Sequence, residues 1–311
     1  MHIETYKNYY ITVTSCFKNL GKIAQLKIWL YTEYMTLSAL QATSGKYTLL
    51  EFDRPFGLAL AAGEPASVPP SDQLKELISK AANELFSPVS GVVLDSRYTY
   101  NTINQKPHEA GVVFSLEDQT ESLDPLSLPH LADNWGVEYV RNNYGVAKLE
   151  LYYHPAEELA HKKQQFVAEI KDFCVYQHID LILQLFVYHP MSELPEAAIL
   201  QETQLLSVHD FARSCDMLAI EYLGDPLNAA TITADIDIPW ILTSRSTNYE
   251  ATKNDLRAAL ESGAQGFMLG DVFWPSVSAK QQSVEQALVG VQTTSRDRLL
   301  ELSRIVNEWT L

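Results

Sequence analysis

The sequence predicts an α/β protein folded as one (β/α)8 TIM barrel, and three observations carry the expectation. From Lys46 onward short apolar runs alternate with longer amphipathic segments, and eight such runs occur. Eight strands in βα alternation point to a parallel closed barrel, with an open doubly wound sheet as the alternative. The chain has 311 residues, 46% of them hydrophobic, enough for the large core of a single barrel of about 250 residues. No boundary splits the alternating part.

The eight runs are 47–54, 91–98, 111–118, 145–154, 181–189, 217–223, 239–245 and 266–274. Helical periodicity is expected at 72–86, 126–141, 156–178, 195–213, 249–262 and 280–309. It is plainest in 156–178, where Leu159, Lys163, Phe166, Val167, Ile170, Phe173 and Cys174 share a face. The connection 99–110 is too short and polar for a full helix. Residues 1–34 are different: Tyr-rich, with Lys7, Lys18, Lys22 and Lys27 against Glu4 and Glu33, and without a sustained period. They read as an appendage, or as a mis-called start before Met35, leaving 35–311 as the barrel.

The 23 basic and 39 acidic residues give a formal charge of −16, which argues against nucleic acid and anionic membranes as partners. No apolar run approaches the roughly 18 residues of a membrane span. Cys16, Cys174 and Cys215 are dispersed and form no CxxC pair, which suggests neither a disulfide framework nor a thiolate metal site and fits a reducing cytoplasm.

Strand four, from Gly145 to Pro155, is the most informative stretch. Ala147, Leu149, Leu151 and Tyr153 form an apolar face, while Lys148, Glu150 and Tyr152 occupy the other. A lysine and a glutamate inside a strand are costly to bury unless paired, so this face must look into a polar cavity or an ion-pair network. In a barrel, the C-terminal ends of strands converge on one mouth. The polar residues there are Glu51 and Asp53, Asp95, Glu117 and Asp118, Lys148 and Glu150, Gln184, Glu221, Ser244 or Arg245, and Asp271. Lys148 is the only lysine within a predicted strand.

Several stretches, in order and at consistent spacing, resemble the class I tagatose-1,6-bisphosphate aldolases and their sulfofructose-phosphate aldolase relatives. They are Gly45 through Arg54, Leu94-Asp95, Leu116-Glu117-Asp118, Ala147-Lys148 through Tyr153, Pro239-Trp240 through Ser244, and Gly263-Ala264 through Trp274. The resemblance spans about residues 36–309. It implies retro-aldol cleavage of a ketose phosphate through a Schiff base, which needs a neutral lysine amine, a nearby acid/base and a cation for phosphate. The chain departs at each. Ala219 stands at the family's Schiff-base lysine, Gln184 at its strand-five glutamate, and Asp271 at the arginine of Gly-Arg-x-x-Trp.

Lys148 then has two readings: a substitute imine former, or an ammonium neutralising Glu117, Glu150 or Asp95. The second is favoured, because neighbouring acids protect the charged form. Asp53, Asp95, Glu117, Glu150 and Glu221 could hold a divalent cation, but a sugar-binding mouth paired with Lys148 and Arg97 is the simpler account, and no metal or other cofactor is expected. His154 and His189, each before a proline, read as loop residues. The glycines 263, 266 and 270 read as tight turns. The expected function is a diverged aldolase-family carbon–carbon lyase acting on a sugar-like ketose, with the ancestral reaction impaired. Lys148, Glu117 and Glu150 would be catalytic, and Asp53, Asp95, Gln184, Glu221 and Ser244 would bind substrate. The alternative is a non-catalytic homologue that binds a sugar-like ligand or a protein partner. A homo-oligomer is compatible with either.

Overall fold

The computed structural model describes residues 36–53, 71–118, 124–190, 196–274 and 284–310. The expectations for residues 1–34, and the part of the first landmark that includes Arg54, lie outside them.

Eight parallel strands close into a barrel in sequence order. They are β1 (Tyr47–Glu51), β2 (Gly91–Leu94), β3 (Gly111–Ser115), β4 (Val146–Tyr153), β5 (Leu181–Val187), β6 (Met217–Ile220), β7 (Trp240–Leu242) and β8 (Gly266–Leu269). Pairing of Leu49 with Met268 joins β1 to β8. Every predicted run contains one strand, and most strands stop short of the predicted C-terminal bound. Beyond the strand ends a rim carries Asp53, Asp95, Glu117 and Arg245, while Glu51, Lys148, Glu150 and Gln184 stay on the ladder.

Helices fill most of the connections: α1 (Asp72–Leu85), α2 (Val137–Asn142), α3 (Ala160–Gln177), α4 (Ala197–Phe211), α5 (Pro226–Asp235) and α6 (Tyr249–Glu261), with α7 (Val284–Gly290) and α8 (Arg296–Asn307) after β8. Helix α1 starts at Ser71, whose hydroxyl accepts from Leu74 N at 3.1 Å, and it buries Leu74, Leu77, Ile78, Ala81, Ala82 and Leu85. Asp225 caps α5 and Pro226 opens it, a start signal the periodicity alone missed. The connection after β2 carries a 3₁₀ turn, Tyr100–Gln105, as its length allows.

Two expectations need correction. The helix anticipated over 126–141 is confined to Val137–Asn142, because residues 130–132 instead bond the rim beside β3: Asp118 N donates to His130 O, and Ala132 N to Leu116 O. The helix anticipated over 280–309 is interrupted by a π turn at Val291–Ser295 between α7 and α8, and residues 280–283 lie outside the described chain.

The alternating pattern of β4 divides two apolar layers. Ala147, Leu149, Leu151 and Tyr153 join the layer beneath the helices, while Val146 packs inside the barrel with Leu49, Val93, Val113, Ile182, Met217 and Met268. Each such large apolar side chain contributes about 1.5–3 kcal/mol by leaving water. Closure of the barrel requires Gly266. Its φ is +144°, and a Cβ there would lie 1.8 Å from Tyr47 O.

Candidate active site

Side chains alternate along a strand, so Val146 facing inward commits Lys148 and Glu150 to the same direction, above the apolar plug. Lys148 has a side chain only 1% exposed. Its Nζ donates to Asp53 Oδ2 at 2.8 Å, Glu117 Oε1 at 2.9 Å and Ser115 Oγ at 3.2 Å, and lies 3.8 Å from Glu150 Oε2. Ser115 Oγ also donates to Asp53 Oδ2. Burial alone would lower the Lys148 pKa, but Asp53, Glu117, Glu150 and Glu51 outweigh it and raise the ammonium above its ordinary value. The amine is therefore protonated and fixed.

A second, linked group forms around β5 and β7. Arg245 forms an ion pair with Glu150 Oε2, and its guanidinium carbon lies 4.8 Å from the centre of the Phe186 ring. Gln184 Nε2 donates to Glu51 Oε1 at 2.6 Å and to Thr243 Oγ1 at 2.8 Å. Burial pushes the Glu51 carboxyl up to about 8; Asp53 and Glu150 act in the same direction, while Arg245 and Lys148 oppose it.

The structure thus brings together Asp53, Glu117, Lys148, Glu150 and Gln184 from the expected set. Asp95 serves its own loop, accepting from Thr99 Oγ1 at 2.7 Å, Thr99 N at 2.9 Å and Arg97 N at 3.1 Å. Burial still lifts its carboxyl to about 6 against these bonds. Glu221 lies near Arg245; burial raises its pKa, and the charge and backbone N–H of Arg245 hold it back. Ser244 takes no part in the hydrogen bonding described for the cluster. Its Oγ accepts from Ser246 N at 3.1 Å, and the alternation on β7 brings Thr243 and Arg245 to the mouth instead. Ala219 is fully buried in the barrel interior, in register with Gln184 and Ile241. Asp271 opens the 3₁₀ turn Asp271–Phe273. The preceding Gly270 passes so close to β1 that a Cβ would meet Glu51 Cβ at 2.9 Å.

Ser115 and Thr243 were absent from the expected site, and Glu51 and Arg245 were placed at the mouth without a role. Glu51 lies two residues from Asp53 and shares its face. Arg245 was named beside Ser244, but a three-residue apolar strand supplies no parity to choose between them.

Outside the barrel, Lys163 is buried on α3. Its Nζ donates to Glu157 Oε2 at 2.7 Å, Pro125 O at 2.6 Å and Tyr152 O at 2.8 Å. His154 and His189 lie at the adjoining strand ends with ring centres 5.8 Å apart. Among the described residues no cluster of His, Cys, Asp and Glu has the arrangement of a metal site. Lys148 Nζ occupies the space between Asp53 and Glu117 that a cation would need.

No protein-family model matches the chain. Among curated proteins, tagatose 1,6-diphosphate aldolase of Lactococcus lactis subsp. lactis is 23% identical over 319 residues, covering 88% of this chain and 96% of that protein. Tagatose 1,6-diphosphate aldolase 2 of Streptococcus agalactiae serotype III is 22% identical over 313 residues, covering 88% and 94%. The chain is a relative of the tagatose 1,6-diphosphate aldolases. Among solved structures, an archaeal fructose 1,6-bisphosphate aldolase superposes with a TM-score of 0.58 at 16% identity, covering 88% of this chain and 98% of its own. A Schiff-base-forming fructose-1,6-bisphosphate aldolase gives 0.55, also at 16%, covering 87% and 98%. Identities this low establish the barrel that this aldolase relative shares with them and leave the chemistry to its own residues. No described helix is long and apolar enough to cross a membrane.

Proposed function

We propose that the protein is a diverged class I aldolase-family barrel whose mouth binds a sugar-like ketose, with the family's imine chemistry impaired. One observation carries this reading. Lys148, the only lysine on a described strand, is an ammonium sealed between Asp53 and Glu117. Attack on a ketone needs a free amine lone pair, and paired carboxylates keep the proton on. The residue resembling the family's imine-forming lysine is Ala219, which has no amine.

The donors and acceptors that remain suit hydroxyl recognition. Asp53, Glu117 and Glu150 accept, Gln184 and Thr243 offer uncharged polar groups, and Lys148 and Arg245 donate. Glu221 lies beside Arg245, while Asp95 and Ser244 support the rim through their loops. Asp271, at the position resembling the family's phosphate-binding arginine, disfavours a phosphate there. Dispersed cysteines, of which Cys174 and Cys215 are free and buried, fit work in a reducing cytoplasm.

A second reading is favoured by one distance. Glu117 Oε1 lies 2.9 Å from Lys148 Nζ and is placed to receive its proton, freeing the amine to add to a ketone and expel water as an imine. Borohydride trapping separates the two. Incubation with tagatose 1,6-bisphosphate, fructose 1,6-bisphosphate or dihydroxyacetone phosphate, followed by reduction and peptide mapping, is expected to leave Lys148 unmodified while ketoses raise the melting temperature. A reduced adduct on Lys148, lost in Lys148→Ala, would establish the lyase instead.

A further inference from the structure

The four inward carboxylates of the mouth are not equivalent. Lys148 is met by Asp53 and Glu117, with Glu150 farther off, and Arg245 is met by Glu150. Three carboxylates therefore share two cations. Glu51, the fourth, forms no ion pair among the described residues; its partner is the neutral amide of Gln184. All four are buried: Glu51 is 5% exposed, Asp53 and Glu117 are 1% exposed and Glu150 is sealed.

We propose that Glu51 is the proton-carrying acid of the mouth, a carboxyl held neutral in the free protein and placed to donate its O–H to the carbonyl oxygen of a bound ketose. This deepens the ketose-binding reading and rests on it. The Glu51 O–H bond stays intact and donates to the ketose carbonyl, while the carboxyl keeps the Gln184 N–H on its other oxygen. Binding therefore favours the protonated carboxyl, so near pH 8 the complex takes up a proton from solvent.

The groups around Glu51 act in both directions, and those favouring the neutral form prevail. Asp53 on the β1 rim repels a second negative charge on Glu51, and it acts in the same way on Asp95 at the β2 rim. Glu117 from β3 is engaged with Lys148. Glu150 from β4 adds repulsion, while Lys148 from β4 and Arg245 from β7 attract without contact, and Glu221 at the β6 rim also leans on Arg245. On β5 and β6 the neighbours are the uncharged Gln184 and Ala219, and on β8 Gly270 brings bare backbone against the Glu51 side chain. Burial outweighs the two cations and pushes the carboxyl up to about 8. Gln184 has a complementary property: its Nε2 is committed to Glu51 and Thr243, while its buried Oε1 accepts no hydrogen bond. An incoming hydroxyl that donates to Oε1 would remove the cost of that unpaired acceptor beside the acid.

The test is a carbon-13 NMR titration of the full chain labelled at glutamate Cδ, with the Glu51 resonance assigned by its loss in Glu51→Gln. A midpoint near 8 is expected, and a midpoint in the ordinary glutamate range would overturn the proposal. If the variant does not fold, the infrared carboxylic-acid band of the unmodified protein decides: it should persist at pH 7 and vanish by pH 10. Calorimetry with tagatose in buffers of different ionisation enthalpy supplies the ligand-linked arm. Proton exchange on binding near pH 8 should be abolished in Glu51→Gln, and unchanged exchange would overturn the assignment. Absence of any binding would count against the ketose reading alone, because the titration is read on the free protein.

Discussion

At the scale of single residues, Lys148 and Glu51 show how burial is tolerated in opposite ways. Lys148 stays charged because carboxylates surround it; Glu51 lacks a cation in contact and holds its proton instead. Removing Lys148 strands Asp53 and Glu117, so Lys148→Met should lose about 3–5 kcal/mol in urea unfolding at neutral pH. The loss should shrink in acid, where the carboxylates protonate. For Glu51 the sign is reversed. Its folded pKa lies above the ordinary value, so between about pH 4.5 and 8 the folded protein keeps a proton that the unfolded chain has released. Its contribution to stability is therefore greatest below that window and declines as pH rises through it, by a few kcal/mol at most. Glu51→Gln cannot titrate, so its melting temperature should fall less between pH 5 and 8.5 than that of the unmodified protein. Parallel curves would contradict the assignment. Asp95 adds a smaller decline of the same sign below about pH 6.

At the scale of elements, the strands act as rulers. Once Val146 faces inward, Lys148 and Glu150 must follow, and Ile241 facing inward on β7 directs Thr243 and Arg245 to the cluster by the same rule. The eight runs could be read from the chain because strands buried on both faces are continuously apolar. The limits of 126–141 could not, since the backbone of that stretch bonds to the β3 rim rather than to itself. Two substitutions test the element account. Ser71→Ala removes the α1 cap and should lower stability by about 1 kcal/mol in a denaturant titration. Gly266→Ala forces a Cβ onto the Tyr47 carbonyl at a φ that only glycine accepts readily, and it should compromise barrel closure, seen as loss of soluble protein or of the cooperative melt.

At the scale of the whole molecule, the chain carries a formal charge of −16, and its mouth holds more carboxylates than cations. A bisphosphate approaching it meets repulsion that salt screens, whereas a neutral sugar does not. Binding of tagatose 1,6-bisphosphate should therefore strengthen from low to physiological ionic strength, with binding of tagatose itself unchanged. Calorimetry at two salt concentrations checks this, and weakening of the bisphosphate with salt would indicate a phosphate-binding cation whose attraction dominates.

The sequence by itself determined the barrel, the position of its eight strands, and the placing of Lys148, Glu150, Asp53 and Glu117 on one polar rim. Local periodicity encodes all of these, because side-chain direction in a strand depends only on parity. Tertiary structure decided which rim residues meet. The pairing of Arg245 with Glu150, the bond from Gln184 to Glu51, and the separation of Ser244 and Asp95 from the cluster depend on how eight distant strands are staggered around the barrel. That stagger also surrounds Lys148 with carboxylates, since the charges that raise its pKa come from residues as far apart in the chain as Asp53 and Glu150.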